Sequence, residues 1–234
     1  MQSDLIYQLY IITFSMDSVM PAEKLEPAAM RAYHELERLI VTLELAPGSI
    51  ATEGSLIELL SLGRTPVREA IQRLAWEGLV EIRPRAGLAI ASLHAGDWLR
   101  VIDARRGVET LLARSAARFV TRDAVDHFHD AALAVQKAVI ANDVQAFLAA
   151  DKALDAALAV AADNQFASRL AAPLQAHGRR FWFRYRRETD LAALAEHRVA
   201  LIRSVLDNDE DAAAADADRL MTMLRVHAEA TATR

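Results

Sequence analysis

Apolar residues recur at spacings of three and four along most of the chain and alternate in one short stretch. Leu36, Leu39, Ile40 and Leu43 mark one buried face of a helix over about 27–43. Pro47-Gly48 reads as a turn. A short helix follows at about 53–60, with Leu56, Leu59 and Leu60 inward, and then a break at 61–63. A third helix runs from about 66 to 77. Thr65 suits its N-cap, Pro66 its first position and Gly78 its stop. Then the period drops to two: Val80 and Ile82, and Leu88 and Ile90, flank Pro84-Arg85-Ala86-Gly87 as a hairpin. Three helices and a hairpin form the pattern of a winged helix-turn-helix.

Glycine and proline divide the chain. Residues 21–94 hold five of the eight glycines and five of the six prolines. Beyond them, helix breakers are rare and Ala and Leu abundant, which predicts long helices at about 97–119, 123–141, 144–162, 165–187, 191–206 and 210–231. The expected organisation is mainly α: an N-terminal extension (1–26), a winged helix-turn-helix domain (27–92) and an all-helical bundle (96–234).

Charged residues are 25% and hydrophobic ones 53% of the chain, an ordinary globular balance. With no cysteine, disulfides and thiolate chemistry are excluded, and a cytoplasmic location is the expectation. The apolar run at 5–14 is too short to span a bilayer and lacks the positive start of a secretory signal. Met16 and Met20 follow it, so the run reads either as an upstream extension of the true start or as an arm that docks on the body.

Net charge is −5, so DNA binding would have to rest on a local patch. Residues 21–94 carry eight basic against ten acidic side chains, whereas 64–85 carry five against three. In the third helix Val67, Ala70, Ile71 and Leu74 face inward, and Arg64, Arg68 and Gln72, spaced by four, line the outer face with Thr65 at its tip. Arg can bond guanine twice and Gln can do so to adenine. Arg85 and Gly87 at the hairpin tip suit a minor groove. A small helical domain with solvated arginines is the plain alternative.

The run Gly63-Arg64-Thr65-Pro66-Val67-Arg68-Glu69-Ala70 strongly resembles the GntR family of bacterial transcription regulators. So do Pro47-Gly48, Glu53, Glu77-Gly78-Leu79-Val80 and Arg83-Pro84-Arg85-Ala86-Gly87. The resemblance implies DNA contacts from Arg64, Thr65 and Arg68 and from Arg85 and Gly87 of the wing. Gly63 and Gly54 depart from the family's usual Ser and Arg, which implies fewer contacts and a weaker operator complex. The remainder looks like the FadR-like branch, whose second domain is a ligand-binding helical bundle; Arg105, Val108 and Glu109 match its signature helix.

Asp151 and Asp155 share one helix face among apolar neighbours. Two carboxylates facing a core repel unless a cation or an arginine, such as Arg105 or Arg219, lies between them. The resemblance implies a divalent metal site (Zn, Ni or Mn) at Asp151, Asp155 and His197. The position of a fourth His is taken by Arg219 and Leu220, and His227 lies two turns on. Arg105 and Arg219 are the candidates for an effector carboxylate, although Arg105 can instead pair with Glu109. The aromatic and basic stretch 177–187 reads as a core-packing helix with solvated arginines, a cavity wall or a subunit contact. The acidic stretch 207–218 reads as a solvated helix start.

Together these features predict a one-component repressor. As a homodimer it places two recognition helices about 34 Å apart on a palindromic operator of double-stranded DNA. A small carboxylate effector enters its bundle. The rivals are a helical metal-dependent enzyme with a DNA-binding appendage, and a DNA-binding protein with a ligand-free bundle.

Overall fold

The computed structural model describes residues 26–187 and 190–232. The apolar run at 5–14 and the two candidate starts lie outside the described residues. Helix α1 spans Ala28–Val41 and buries Tyr33, Leu36, Glu37 and Ile40. It stops short of the expected end at 43, because Leu43 turns the backbone into the left-handed region at φ 61°. Strand β1 (Ile50–Ala51), too short to show a period, was not legible in the sequence. Helix α2 spans Glu53–Leu60 behind a reciprocal cap: Ser55 N–H donates to Thr52 Oγ1 and Thr52 N–H to Ser55 Oγ, both at 3.0 Å. Of α2 only Leu56 is buried; Leu59, expected inward, is exposed, since two turns present little more than one position to the core.

Helix α3 (Arg64–Trp76) starts two residues earlier than its sequence signals suggest. Gly63, not Thr65, is the N-cap, and Pro66 sits in the first turn, where a missing N–H breaks no helical bond. Gly78 closes the helix at φ 78°, as expected. Strands β2 (Val80–Arg83) and β3 (Gly87–Ile90) form the hairpin, and β1 adds to it antiparallel in the order β1-β3-β2. Ile82 pairs with Leu88 in register, yet its side chain is exposed: the wing projects past the core.

The bundle comprises α4 (Ala95–Phe119), α5 (Arg122–Ile140), α6 (Val144–Ala161), α7 (Gln165–Tyr185), α8 (Asp190–Leu206) and α9 (Glu210–Ala232). Asn142, Asp163 and Asn208 take the left-handed positions after α5, α6 and α8, which explains how tight turns arise with so little glycine. Asp143 and Asn164 then cap the next helices, accepting from Ala146 N–H at 3.0 Å and Ala167 N–H at 3.1 Å. The two domains interlock: Ala176 of α7 joins the core of the winged domain, and Val41 of α1 joins that of the bundle beside Trp98. Among the described residues no helix is long and apolar enough to cross a membrane.

Candidate nucleic-acid interface and its link to the helical domain

Val67, Ala70, Ile71 and Leu74 anchor α3 in the winged-domain core. Its other face is open. Arg64 and Arg68 have side chains 76% and 55% exposed, and Thr65 and Gln72 are exposed beside them. Glu53 at the start of α2 holds this row in place: it accepts from Arg68 Nη2 at 3.0 Å and Nε at 3.2 Å, and lies 3.7 Å from Arg64 Nε. Trp76, four residues beyond Gln72, continues the row and is 92% exposed. No side chain caps the N-terminus of α3, so its first amides face outward without an internal acceptor.

At the wing tip, exposed Arg85 adopts φ 65° and Gly87 φ 95°. A Cβ on Gly87 would stand 2.7 Å from the carbonyl oxygen of Ala51, so this glycine is required by β1 packing as well as by its backbone angle.

Three contacts connect the winged domain to α7. Within the winged domain, Tyr33 O–H donates to Glu77 Oε2 at 2.8 Å and Arg73 lies 3.7 Å over the Tyr33 ring, tying α1 to the end of α3. Burial first, and then Glu37 and Glu77, raise the Tyr33 hydroxyl above its ordinary pKa. From α7, His177 Nε2–H donates to the carbonyl of Glu77 at 2.9 Å. Burial lowers the pKa of His177, outweighing the opposite pull of this hydrogen bond. Arg180 Nη2 donates to the carbonyl of Ala91 at 2.6 Å; burial with no compensating carboxylate pulls its guanidinium down to about 10. Arg179 Nη2 donates to Glu37 Oε1 of α1 at 3.4 Å. The arginines of 177–187 expected to be solvated therefore divide: Arg179 and Arg180 are buried at the domain junction.

Behind Arg179 lies the acid pair. Asp151 and Asp155 are both buried on α6, and two guanidiniums lie between them. Arg179 Nη1 donates to Asp155 Oδ2 at 2.6 Å; Arg198 Nη1 donates to Asp155 Oδ1 at 3.1 Å, and its Nε lies 2.6 Å from Asp151 Oδ1. Burial, opposed by Arg198 and reinforced by Asp151, pushes Asp155 up to about 6. For Asp151 burial is overcome by Arg198 and Arg179, and its carboxyl falls below the ordinary range. Arg105 pairs with Glu109 at 2.8 Å, both buried.

The three expected metal ligands do not converge. Among the described residues no group of three or more His, Cys, Asp or Glu is placed to hold a metal. Arg198, the residue after His197, points its guanidinium at the two carboxylates, so the donors fit an arginine pair rather than a divalent ion. The arginines are Arg179 and Arg198, not Arg105 or Arg219. Arg219 pairs with Asp216 and is largely exposed. His227 instead contacts the carbonyl of Tyr185 at 3.0 Å and packs in a T-shaped arrangement against the Trp98 ring. Sequence reasoning missed Glu37, Arg179 and Arg198. The available signal was a charged residue within an apolar stripe: Glu37 beside Leu36 and Ile40, and Arg198 amid Leu194, Leu201 and Ile202.

Two family models match the chain: the bacterial regulatory proteins of the gntR family over residues 28–90, and the FCD domain over residues 100–223, more than half of the sequence. The chain belongs to the GntR family of transcription regulators, with an FCD domain. It is 33% identical over 124 residues to an HTH-type transcriptional regulator in the TAR-I ttuE-ttuC' intergenic region of Agrobacterium vitis, matching 52% of this chain and 72% of that one. With the HTH-type transcriptional repressor RspR of Escherichia coli K12 it shares 33% over 101 residues, 41% of this chain but only 42% of RspR. The solved structure of E. coli McbR/YncC superposes with a TM-score of 0.74 at 15% identity, covering 88% of this chain and 99% of that one; this likeness shows the fold alone. The GntR-family regulator is thus a DNA-binding protein, with the winged helix-turn-helix and helical bundle that its sequence predicts.

Proposed function

We propose that this regulator is a ligand-responsive repressor that binds a palindromic operator as a homodimer. Arg64, Thr65, Arg68 and Gln72 enter the major groove, and Arg85 with Gly87 follows the minor groove. The observation that carries this reading is the exposed row on α3, anchored from behind by four buried apolar residues and held by Glu53. The uncapped first turn of α3 supports a phosphate contact there. A small organic acid, taken up by the helical domain, biases the placement of the winged domains through α7, which touches both units. The divalent metal has no part in this reading, because guanidiniums already neutralise the carboxylates that would hold it. Selection of bound duplexes from a random library, followed by anisotropy titration, tests it. A recovered inverted repeat, bound more weakly by Arg68→Ala, is the expected outcome; a pool without any repeat overturns the dimeric operator.

A further inference from the structure

Beside the buried acid–arginine cluster, the room for a ligand lies between the domains. The gap bounded by Arg105, Asp151, Arg179 and Arg198 is about 20 Å³, space for about one water. The cleft between α1 and α6 is about 540 Å³, a size that accepts a small organic molecule. Arg179 and Leu148 line both spaces, so the cleft backs directly onto the buried charges. Val41, Leu148 and Ala149 give the cleft an apolar side.

Glu37 sits where a ligand's acid group would sit. It belongs to the winged domain, is 3% exposed, and bridges two cations of the bundle: Lys152 on one oxygen, and Arg179 at 3.4 Å on the other. The cluster, buried except for half-exposed Lys152, is balanced as it stands. Arg105, Lys152, Arg179 and Arg198 face Glu37, Glu109, Asp151 and Asp155. A further carboxylate entering this low-dielectric site leaves one negative charge uncompensated unless a resident one departs. Glu109, Asp151 and Asp155 are fixed on bundle helices, each on a guanidinium. Glu37 alone can leave with its own domain.

We propose that the interdomain cleft binds a small carboxylate whose acid group replaces Glu37 between Lys152 and Arg179, so that ligand and winged domain compete for the same two cations. This rests on the organic-acid reading above and deepens it: it names the site, and it makes displacement of α1 the regulatory event. A ligand that binds only the Glu37-out arrangement is weakened by the fraction of molecules in the Glu37-in arrangement, and removing the tethered competitor removes that penalty.

Isothermal titration of the full chain with succinate and with benzoate tests it. Glu37→Gln keeps the size and loses the charge; it is expected to bind one of these acids at least about tenfold more tightly than wild type. Lys152→Met, at a half-exposed site, is expected to weaken that binding by about tenfold. A merely structural role for Glu37 would not tighten binding. If both variants bind as wild type does while Arg105→Met abolishes binding, the ligand lies inside the bundle and the inference fails, with the organic-acid reading intact. If neither wild type nor Glu37→Gln binds either acid, both fall.

Discussion

The guanidinium of Arg105 lies directly against Gly178, where a Cβ would stand 2.2 Å from Nη1. The glycine is a matter of space, since its backbone is helical. Arg105 cannot swing away freely, because Nε and Nη2 both donate to Glu109 Oε1, at 3.0 and 2.8 Å, and Gln175 donates to the same oxygen at 3.2 Å. Gly178→Ala is therefore expected to destabilise the fold by about 1–3 kcal/mol despite its better helix propensity. Urea denaturation measures this; an unchanged midpoint would show that the Arg105–Glu109 pair moves without cost.

Glu53 holds Arg68 in a forked pair and stands beside Arg64. Arg68→Ala is expected to lower operator affinity by about 1–3 kcal/mol. Glu53→Gln acts in the opposite direction on general affinity: loss of a negative charge beside two arginines strengthens binding to any duplex and steepens its salt dependence. Anisotropy titrations at several salt concentrations separate the two effects.

Trp76 reports on the recognition face. Trp98 and Trp182, the other two tryptophans, are buried. Iodide is expected to quench mainly Trp76, so Trp76→Phe removes most of the quenchable emission. Since Trp76 continues the row of Arg64, Arg68 and Gln72, an operator duplex is expected to protect it. Quenching that DNA leaves untouched would place the duplex elsewhere.

Asp155 gives the fold a pH signature. Its folded pKa of about 6 lies above the ordinary carboxylate value, so between about pH 4 and 6 the native protein retains a proton that the unfolded chain has lost. Its contribution to stability is present below pH 4 and declines as pH rises through 6, by on the order of 3 kcal/mol. Asp155→Asn, a neutral stand-in for the protonated acid that keeps one acceptor oxygen, is expected to lack this decline. The wild-type-minus-variant difference in urea midpoints across pH 4–7 isolates it.

Much of the architecture was legible because periodicity and punctuation agreed. Helices α4 to α9 needed only their apolar spacing and the Asn/Asp turns between them. The exposed row on α3 was legible for a similar reason: residues four apart on an anchored helix must share its free side. The Asp151–Asp155 pair was legible as two carboxylates in need of a positive neighbour, but not which neighbour. Arg179 and Arg198 come from other helices, and the choice between a guanidinium and an ion is made by tertiary packing. Glu37 was hardest, since its partners lie in another domain, over a hundred residues away. Strand β1 was too short for any period.

Gly87 has a wider mechanical consequence. Pressed onto the Ala51 backbone, it staples the hairpin to the segment that leads into α2, and α2 in turn braces α3 through Glu53. These contacts join the hairpin and α3 into one jaw. On the operator reading proposed above, such a jaw would measure its target like a caliper: the offset between the two groove contacts would be set by the protein, and an operator lengthened by a single base pair at that point is expected to lose one contact.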